Sequence, residues 1–414
     1  MKPLLIRDIG ILAGIHPEGT AVLQGSMMAN LPVLNDAWLL CANGFILDFG
    51  NMNNIPTQLP PDTNIFSVNG GAIFPSWCDS HSHIVFAASR EEEFVMKIKG
   101  KSYEEIAANG GGILNSAEKM QTADESELYD AAFARLNDMI GQGTGALEIK
   151  SGYGLTLESE LKMLRVIKRL KENSPIPIKA TLLAAHTYPL AYKESHQAYI
   201  SMIVEELLPA VYQEGLADYF DVFCEKGFFS VEETDQLLAA AAHYGLKPKI
   251  HANQLSVSGG VEIALKHKAI SVDHLEATDA LVIGSMTNHY TIATLLPSCS
   301  LFLRIPYANA RGLIDANIPV AIASDYNPGS TPSGNMNLVV SLACINLRML
   351  PEESINAATI NGAAAMELGH ELGSITKGKR ANFFITRTLS SIAFLPYSFG
   401  QSQIEHIVLN GEFY

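Results

Sequence analysis

The chain has 414 residues, and its 28 Lys and Arg against 43 Asp and Glu leave a formal charge of −15 at pH 7. Hydrophobic residues make up 48% and charged residues 17%, a profile that excludes disordered and fibrous proteins and indicates a globular protein with a large core. The acidic balance disfavours nucleic acid and an anionic membrane surface as main partners, since both repel a negative field.

The five cysteines are scattered and form no Cys-x-x-Cys pair, so neither a disulfide framework nor a thiolate zinc site is indicated. The N-terminal residues break their apolar run early and lack the core of a signal peptide. No run of 18 apolar residues offers a membrane span. We therefore expect a reduced, soluble, cytoplasmic protein.

Both ends of the chain are rich in strand and turn signals. Asn43-Gly44 separates strand-like residues 37–42 and 45–49, and Asn410-Gly411 follows the strand-like residues 404–409. Asn-Gly between apolar runs is the strongest short-range hairpin signal. We predict one small β-sandwich domain built from residues 1–70 and 371–414.

The middle, residues 71–370, alternates short apolar runs with longer helical patterns. The helix after Thr156 shows an apolar stripe at helical spacing, and Ser230 with Glu233 forms a capping box. Eight such units match a (β/α)8 barrel, although a doubly wound open sheet also alternates strands and helices. The eight runs are residues 71–75, 145–150, 178–183, 219–223, 247–250, 269–273, 290–295 and 320–323.

The placement of polar residues favours the barrel. In extended chain His81 and His83 point to the same face, so both imidazoles can reach one ion. Further titratable residues stand at the ends of predicted strands, where barrel enzymes build their sites. These residues are His186, His251, His274 and Asp325. Three imidazoles and a carboxylate with an open position are typical of a hydrolytic site for zinc or iron, and this composition does not choose between the two metals.

At these residues the sequence resembles the amidohydrolase superfamily, through Pro75-x-x-x-Asp79-x-His81-x-His83 and the later His251, His274 and Asp325. Within the superfamily it is similar to the imidazolonepropionase family. The segments that carry this closer resemblance are 83–86, 89–91, 148–155, 185–186, 273–276 and 324–330. Residues 373–382 resemble the superfamily's return into its β domain, with Asn382 where an Asp is usual.

The resemblance implies a (β/α)8 hydrolase that takes a small-molecule substrate, as a homodimer. It implies one divalent metal ion, zinc or iron, held by His81, His83, His251 and Asp325. The implied substrate-binding residues are Arg90, Tyr103, Tyr153, His186, Gln254, Asn327, Gly329 and Ser330.

Three of these assignments have simpler alternatives. Arg90 presents a planar fork suited to a substrate carboxylate, but it could instead pair with the acidic residues 91–93. Tyr153 could be a packed loop aromatic, and residues 327–330 could be an ordinary turn. Lys150 stands where binuclear relatives carry a carbamylated lysine, and we interpret it here as positional or structural.

The implied reaction is hydrolysis of the cyclic amide of 4-imidazolone-5-propanoate to N-formimidoyl-L-glutamate. His274 and Asp325 would manage the protons, because the amide of Gln254 cannot take one up and can only orient substrate or water. Two alternatives are another amidohydrolase, acting on a purine or pyrimidine, and a barrel scaffold without catalysis.

Overall fold

The computed structural model describes residues 2–101 and 112–414, and its strands form two sheets of eight. The first sheet is built from both ends of the chain, in the order β16-β15-β14-β5-β1-β2-β3, with β4 beside β1. Its strands are β1 (Leu4–Ala13), β2 (Val33–Ala42), β3 (Phe45–Asn51), β4 (Asn64–Ser67), β5 (Ala72–Pro75), β14 (Phe383–Thr386), β15 (Ile404–Leu409) and β16 (Glu412–Phe413). The predicted small β domain made from both termini is confirmed.

Both predicted hairpins are present. Asn43 and Gly44 join β2 to β3 with φ of 52° and 86°, and Asn410 and Gly411 join β15 to β16 with φ of 49° and 77°. Positive φ at both central positions is the type I′ turn, whose twist matches that of the flanking strands. The Asn-Gly pairs are therefore in these turns because few other residues accept that backbone.

The second sheet is the predicted parallel barrel, in the order β13 to β6. Its strands are β6 (Trp77–Asp79), β7 (Thr144–Lys150), β8 (Ile178–Ala185), β9 (Tyr219–Cys224), β10 (Lys247–Ala252), β11 (Ser271–His274), β12 (Ile292–Leu295) and β13 (Val320–Ile322). Beyond the strand ends, the Asp325 amide donates to the His81 carbonyl at 3.0 Å and the His83 amide to the Tyr326 carbonyl at 2.8 Å. These bonds bring the first and last barrel strands together.

One predicted barrel strand belongs to the other sheet. Residues 72–75 form β5, which pairs with β1 and with β14, and Trp77–Asp79 is the first barrel strand instead. Both segments are fully buried, and a short apolar run carries no signal of which sheet it joins. The bounds of the domains stay a prediction.

Helices follow the barrel strands and cover their outer face. The side chain of Thr156 caps Leu157–Asn173, which buries Leu161, Leu164 and Ile167, and the predicted capping box of Ser230 and Glu233 is formed. The α-helices are Glu91–Ile98, Ile113–Thr122, Glu125–Gly141, Leu157–Asn173, His196–Met202, Leu208–Glu214, Val231–Ala242, Gly260–Lys266, Ala280–Met286, Pro297–Leu303, Ala310–Asp315, Met336–Asn346, Pro351–Ala358, Ile360–Ala364 and Phe394–Tyr397. Short 3₁₀ segments span Gly25–Ala29, Met52–Asn54 and Leu190–Tyr192, and Ile203–Leu207 is a π-helical turn. Among the described helices none is both long and apolar enough to span a membrane.

Candidate active site

Histidines from separate strands meet at the C-terminal end of the barrel. His81 and His83 follow β6, and their Nε2 atoms lie 3.3 Å apart. Asp325, which follows β13, places Oδ1 3.5 Å from His81 Nε2 and 3.6 Å from His83 Nε2. His251 on β10 lies beside His81, with ring centroids 4.4 Å apart. The four ligands predicted from the sequence are thus brought together.

His274 lies as close to the cluster as the predicted ligands do. One ligand atom from each of His81, His251 and His274 lies within 4.8 Å of the others, and the same holds for His81, His83 and Asp325. His81 belongs to both groups, so it stands at the centre of the arrangement.

The imidazoles of the cluster are held neutral. Burial, together with nearby positive charge, lowers the pKa of His81, His83 and His251 well below the usual value. Burial also raises the pKa of Asp325 to about 6. Neutral imidazoles and a carboxylate, all buried and facing one another, are the donors that a divalent metal ion takes. This donor set fits the ion that the sequence predicts.

The backbone is strained at two of these positions. His274 has φ of 88° and Asp325 has φ of 54°, in a backbone region that residues other than glycine rarely occupy. His274 Nδ1 lies 3.4 Å from Glu276 Oε1. Burial opposes the charged form of His274, but the Glu276 carboxylate together with Asp325 and Asp273 outweighs it and raises the pKa. Such strain clusters at functional sites, where the surrounding structure holds it.

A layer of buried charges lies beneath the histidines. Asp273 Oδ2 is 2.6 Å from His81 Nδ1, and Asp221 Oδ2 is 2.9 Å from His251 Nδ1, although the second contact lacks the direction of a formed hydrogen bond. Lys150 contacts both carboxylates rather than the ligand atoms above them. Asp221 was not singled out from the sequence, because an acidic residue inside an apolar strand carries no local signal of its partner.

A cavity of about 420 Å³ opens onto the cluster. Its lining includes His83, His251, His274 and Asp325 from the cluster. It also includes every described residue predicted to bind substrate, namely Arg90, Tyr153, His186, Gln254, Asn327, Gly329 and Ser330. Tyr103 lies outside the described residues. The sequence did not point to Lys97, Phe223, Phe228 or Leu255, which line the same cavity.

Arg90 is paired as the simpler alternative predicted. Its Nε and Nη2 donate to Glu93 at 2.8 and 2.6 Å, and Glu93 is itself buried. The remaining Nη1 lies against Gly329, where an added Cβ would stand 2.2 Å away. The fork of Arg90 is therefore occupied by Glu93, and among residues 2–101 and 112–414 Nη1 is the nitrogen left for a ligand in the cavity.

Residues 327–330 form an ordered turn that also lines the cavity. Asn327 Oδ1 accepts from the amides of Gly329 and Ser330, each at 2.8 Å. Ser330 Oγ donates to Asp325 Oδ2 at 3.2 Å, and Asn327 Nδ2 donates to the Asp325 carbonyl at 2.7 Å. The turn therefore holds Asp325 in place, and the substrate-binding role of residues 327–330 stays a prediction.

His186 and Tyr153 form one wall. His186 stacks on His83 with ring centroids 5.6 Å apart, and its Nδ1 lies 3.1 Å from the Gly152 carbonyl. Burial lowers the pKa of His186 to about 4, so the ring is neutral, donates through Nδ1 and offers Nε2 as an acceptor. Burial raises the pKa of Tyr153, which keeps its hydroxyl protonated. Gln254 Nε2 lies 3.6 Å from Cys299 Sγ on the other side.

Comparison with known proteins agrees with this geometry. A sequence model of the Amidohydrolase family matches residues 72–413. The imidazolonepropionase of Christiangramia forsetii is 53% identical over 409 residues, and that of Flavobacterium johnsoniae is 52% identical over 408, each alignment covering 99% of both chains.

Solved structures show the same fold at low sequence identity. Escherichia coli guanine deaminase superposes with a TM-score of 0.76 at 13% identity, covering 100% of this chain and 99% of its own. An adenosine deaminase from Xanthomonas campestris with bound zinc gives 0.71 at 16% identity, covering 99% and 92%. With its relatives matched from end to end, the chain belongs to the amidohydrolase family and, within that family, to the imidazolonepropionases.

Proposed function

We propose that the chain hydrolyses the cyclic amide of 4-imidazolone-5-propanoate and releases N-formimidoyl-L-glutamate, a step of histidine breakdown. The observation that carries this proposal is the cavity itself. Its lining combines the histidine–carboxylate cluster with the cations Arg90 and Lys97. A ring with an anionic tail matches this combination, with the ring amide at the cluster and the carboxylate at the cations.

We propose one divalent ion, zinc or iron, held by His81, His83, His251 and Asp325. A bound divalent ion acidifies water and polarises a carbonyl oxygen. His274 then remains outside the ligand set. Its Nδ1 is engaged by Glu276, which leaves Nε2 to exchange protons with the reacting groups.

The protons move through residues whose charge can change. His274 Nε2 takes a proton from the attacking water, assisted by the negative charge of Glu276, which favours the protonated ring. The water oxygen bonds to the ring carbonyl carbon, and the carbon–nitrogen bond of the ring breaks. His274 returns the proton to the departing nitrogen, so the group ends as it began. Gln254 stays neutral and orients substrate or water.

The other residues bind and orient. Arg90 Nη1 binds the carboxylate, since Nε and Nη2 are held by Glu93. His186 and Tyr153 present an acceptor and a donor to the ring, and Asn327, Gly329 and Ser330 shape the wall beside Asp325. Tyr103 is a further candidate for the same pocket. We also infer a cytoplasmic location, as the sequence predicts, and a homodimer, as the family resemblance implies.

The direct test is to follow loss of imidazolonepropionate absorbance by the metal-loaded protein and to identify the product by mass spectrometry. Guanine and adenine serve as comparison substrates, because they lack the carboxylate. Ring opening with the formimidoyl product supports the proposal. Turnover of a purine without turnover of imidazolonepropionate contradicts it and favours the aminohydrolase alternative.

A further inference from the structure

Lys150 stands at the centre of a buried ionic cluster. Its Nζ lies 2.7 Å from Glu148 Oε1, 2.8 Å from Asp221 Oδ2 and 3.4 Å from Asp273 Oδ2. All four side chains are fully buried. A second buried lysine, Lys249, contacts the other oxygen of Glu148. Lys150 is therefore the group that joins two aspartates from different strands, β9 and β11.

Each of these aspartates faces a different histidine of the proposed metal site. Asp273 Oδ2 contacts both Lys150 Nζ and His81 Nδ1, and Asp221 Oδ2 contacts both Lys150 Nζ and His251 Nδ1. A carboxylate that accepts from Nδ1 fixes the ring orientation and leaves Nε2 to bind a metal. For His81 this hydrogen bond is formed, whereas Asp221 lies within 2.9 Å of His251 Nδ1 without the direction of a hydrogen bond. One ammonium group thus holds the carboxylate beside each of two ligands.

We propose that Lys150 is a positioning residue of the metal centre, which fixes His81 and His251 through Asp273 and Asp221. The inference depends on the proposed ligand set and extends it by one layer. Lys150 bridges two carboxylates here, and it is neither a ligand nor a carbamylated bridge between two ions.

The charges around Lys150 support this role. Glu148, Asp221 and Asp273 carry three negative charges against the two positive charges of Lys150 and Lys249, so one negative charge is in excess. Asp325 adds a second. One divalent ion on neutral histidines would balance both. Buried charges without such balance are strongly unfavourable, so a lost lysine should reduce the order of the aspartates rather than leave them in place.

The test is the affinity for Zn²⁺ of Lys150→Met and Lys150→Gln, measured by competition with a chromophoric chelator. Loss of a partner in the outer shell of a metal site typically lowers metal affinity about 10- to 100-fold, and we expect this for both variants. Lys379→Met is the matched control. Lys379 is also buried, but within the described part of the chain it donates to the carbonyls of Thr20, Gly369 and Leu372 and to no carboxylate, and its loss should leave Zn²⁺ affinity unchanged.

A double-mutant cycle separates positioning from general support of the barrel. Asp273→Asn alone should weaken Zn²⁺ binding, and Lys150→Gln added to it should cost much less than Lys150→Gln does in the wild type. Imidazole nitrogen NMR of the zinc-loaded protein supplies a second reading. The Nδ1–H signals of His81 and His251 should be sharp in the wild type and broadened or shifted in Lys150→Gln.

A folded Lys150→Gln variant with wild-type Zn²⁺ affinity and unchanged histidine signals would overturn the proposal. If both Lys150 variants fail to fold, Asp221→Asn and Asp273→Asn decide it, because either must weaken Zn²⁺ binding. Zn²⁺ affinity is measured without substrate, so these outcomes do not depend on which amide the enzyme opens. Conversely, failure of the imidazolonepropionate assay with intact coupling between Lys150 and Asp273 would reject only the proposed substrate.

Discussion

Replacing Arg90 by alanine should lower kcat/KM about 10- to 100-fold, mainly through a higher KM. Glu93 holds Nε and Nη2 at 2.8 and 2.6 Å, so Nη1 beside Gly329 is the nitrogen that faces a substrate carboxylate. One hydrogen bond to a charged group contributes about 1.5–3 kcal/mol. Since each 1.4 kcal/mol or so is tenfold, this single contact sets the expected range. A forked contact would cost roughly the square of that factor.

Glu93 should matter through the orientation of Arg90. Glu93→Gln keeps the size of the side chain but replaces a charge-assisted pair by a neutral one, a loss of about 1–1.5 kcal/mol. Because the weaker pair holds Arg90 Nη1 less firmly in place for the substrate carboxylate, KM should rise about five- to tenfold with kcat little changed. Glu92→Gln is the matched control, because Glu92 is exposed on the same helix turn.

The assay measures initial rates of absorbance loss and separates kcat from KM, for the true substrate and for an analogue without the carboxylate. Arg90→Ala should affect the analogue only slightly, because the analogue has no group for Nη1 to bind. An Arg90→Ala enzyme within about threefold of wild type on the true substrate would refute the assignment. An equal loss on both substrates would place Arg90 in support of the turn at Gly329 rather than in binding.

Three further predictions concern catalysis, the metal and pH. His274→Ala should lower kcat about 10²- to 10⁴-fold at normal metal content, whereas Gln254→Ala should act more on KM, and the reverse order in kcat would contradict His274 as the base. Chelation should lower the melting temperature and readdition of Zn²⁺ restore it, since an ion at about 1,000 times its Kd adds about 4 kcal/mol, and His251→Ala should lose this response. Burial lowers the pKa of His16 despite its contact with Asn356. The unfolded chain therefore takes up a proton on His16 near pH 6.5 that the folded protein resists, so His16 should contribute up to about 1.4 kcal/mol per pH unit to the fall in the free energy of unfolding below that pH. The buried His81, His83, His186 and His251 contribute in the same direction. His16→Gln should reduce the slope by up to the His16 share in denaturant titrations at several pH values, and an unchanged slope would exclude a contribution from His16.

Much of the site can be predicted from the sequence, because the C-terminal ends of all strands of a parallel barrel lie on one face. His251, His274 and Asp325 are far apart in the chain, yet each follows or ends an apolar run, and that common position predicts their meeting. The two Asn-Gly turns can also be predicted from the sequence, because few residue types adopt the type I′ backbone.

The rest depends on contacts between distant segments. Asp221 and Glu148 lie inside buried strands, and their partners Lys150 and Lys249 can be identified only when the strand register is known. Glu93 belongs to an acidic run that resembles a solvated helix face, but its side chain is buried against Arg90. The sequence places residues 71–75 in the barrel, which is wrong, because the apolar residues of β5 would suit either sheet.

A protein with a negative net charge should repel an anionic substrate, but the charges that lie near the cavity differ from those on the distant surface. Exposed acidic side chains contribute to the net charge of −15, and salt screens each of them beyond about 8–10 Å. Arg90 and Lys97 line the cavity itself, where water is partly excluded and a charge acts more strongly. Glu93 neutralises part of the positive charge in the cavity by accepting from two nitrogens of Arg90. Lys97 is therefore the less neutralised of the two cations. Burial lowers the pKa of Lys97, and Arg90 adds to that effect, so an arriving carboxylate would stabilise the charged form of the lysine. The anion is therefore drawn by two cations of unequal roles, with Arg90 fixing its direction and Lys97 supplying positive charge.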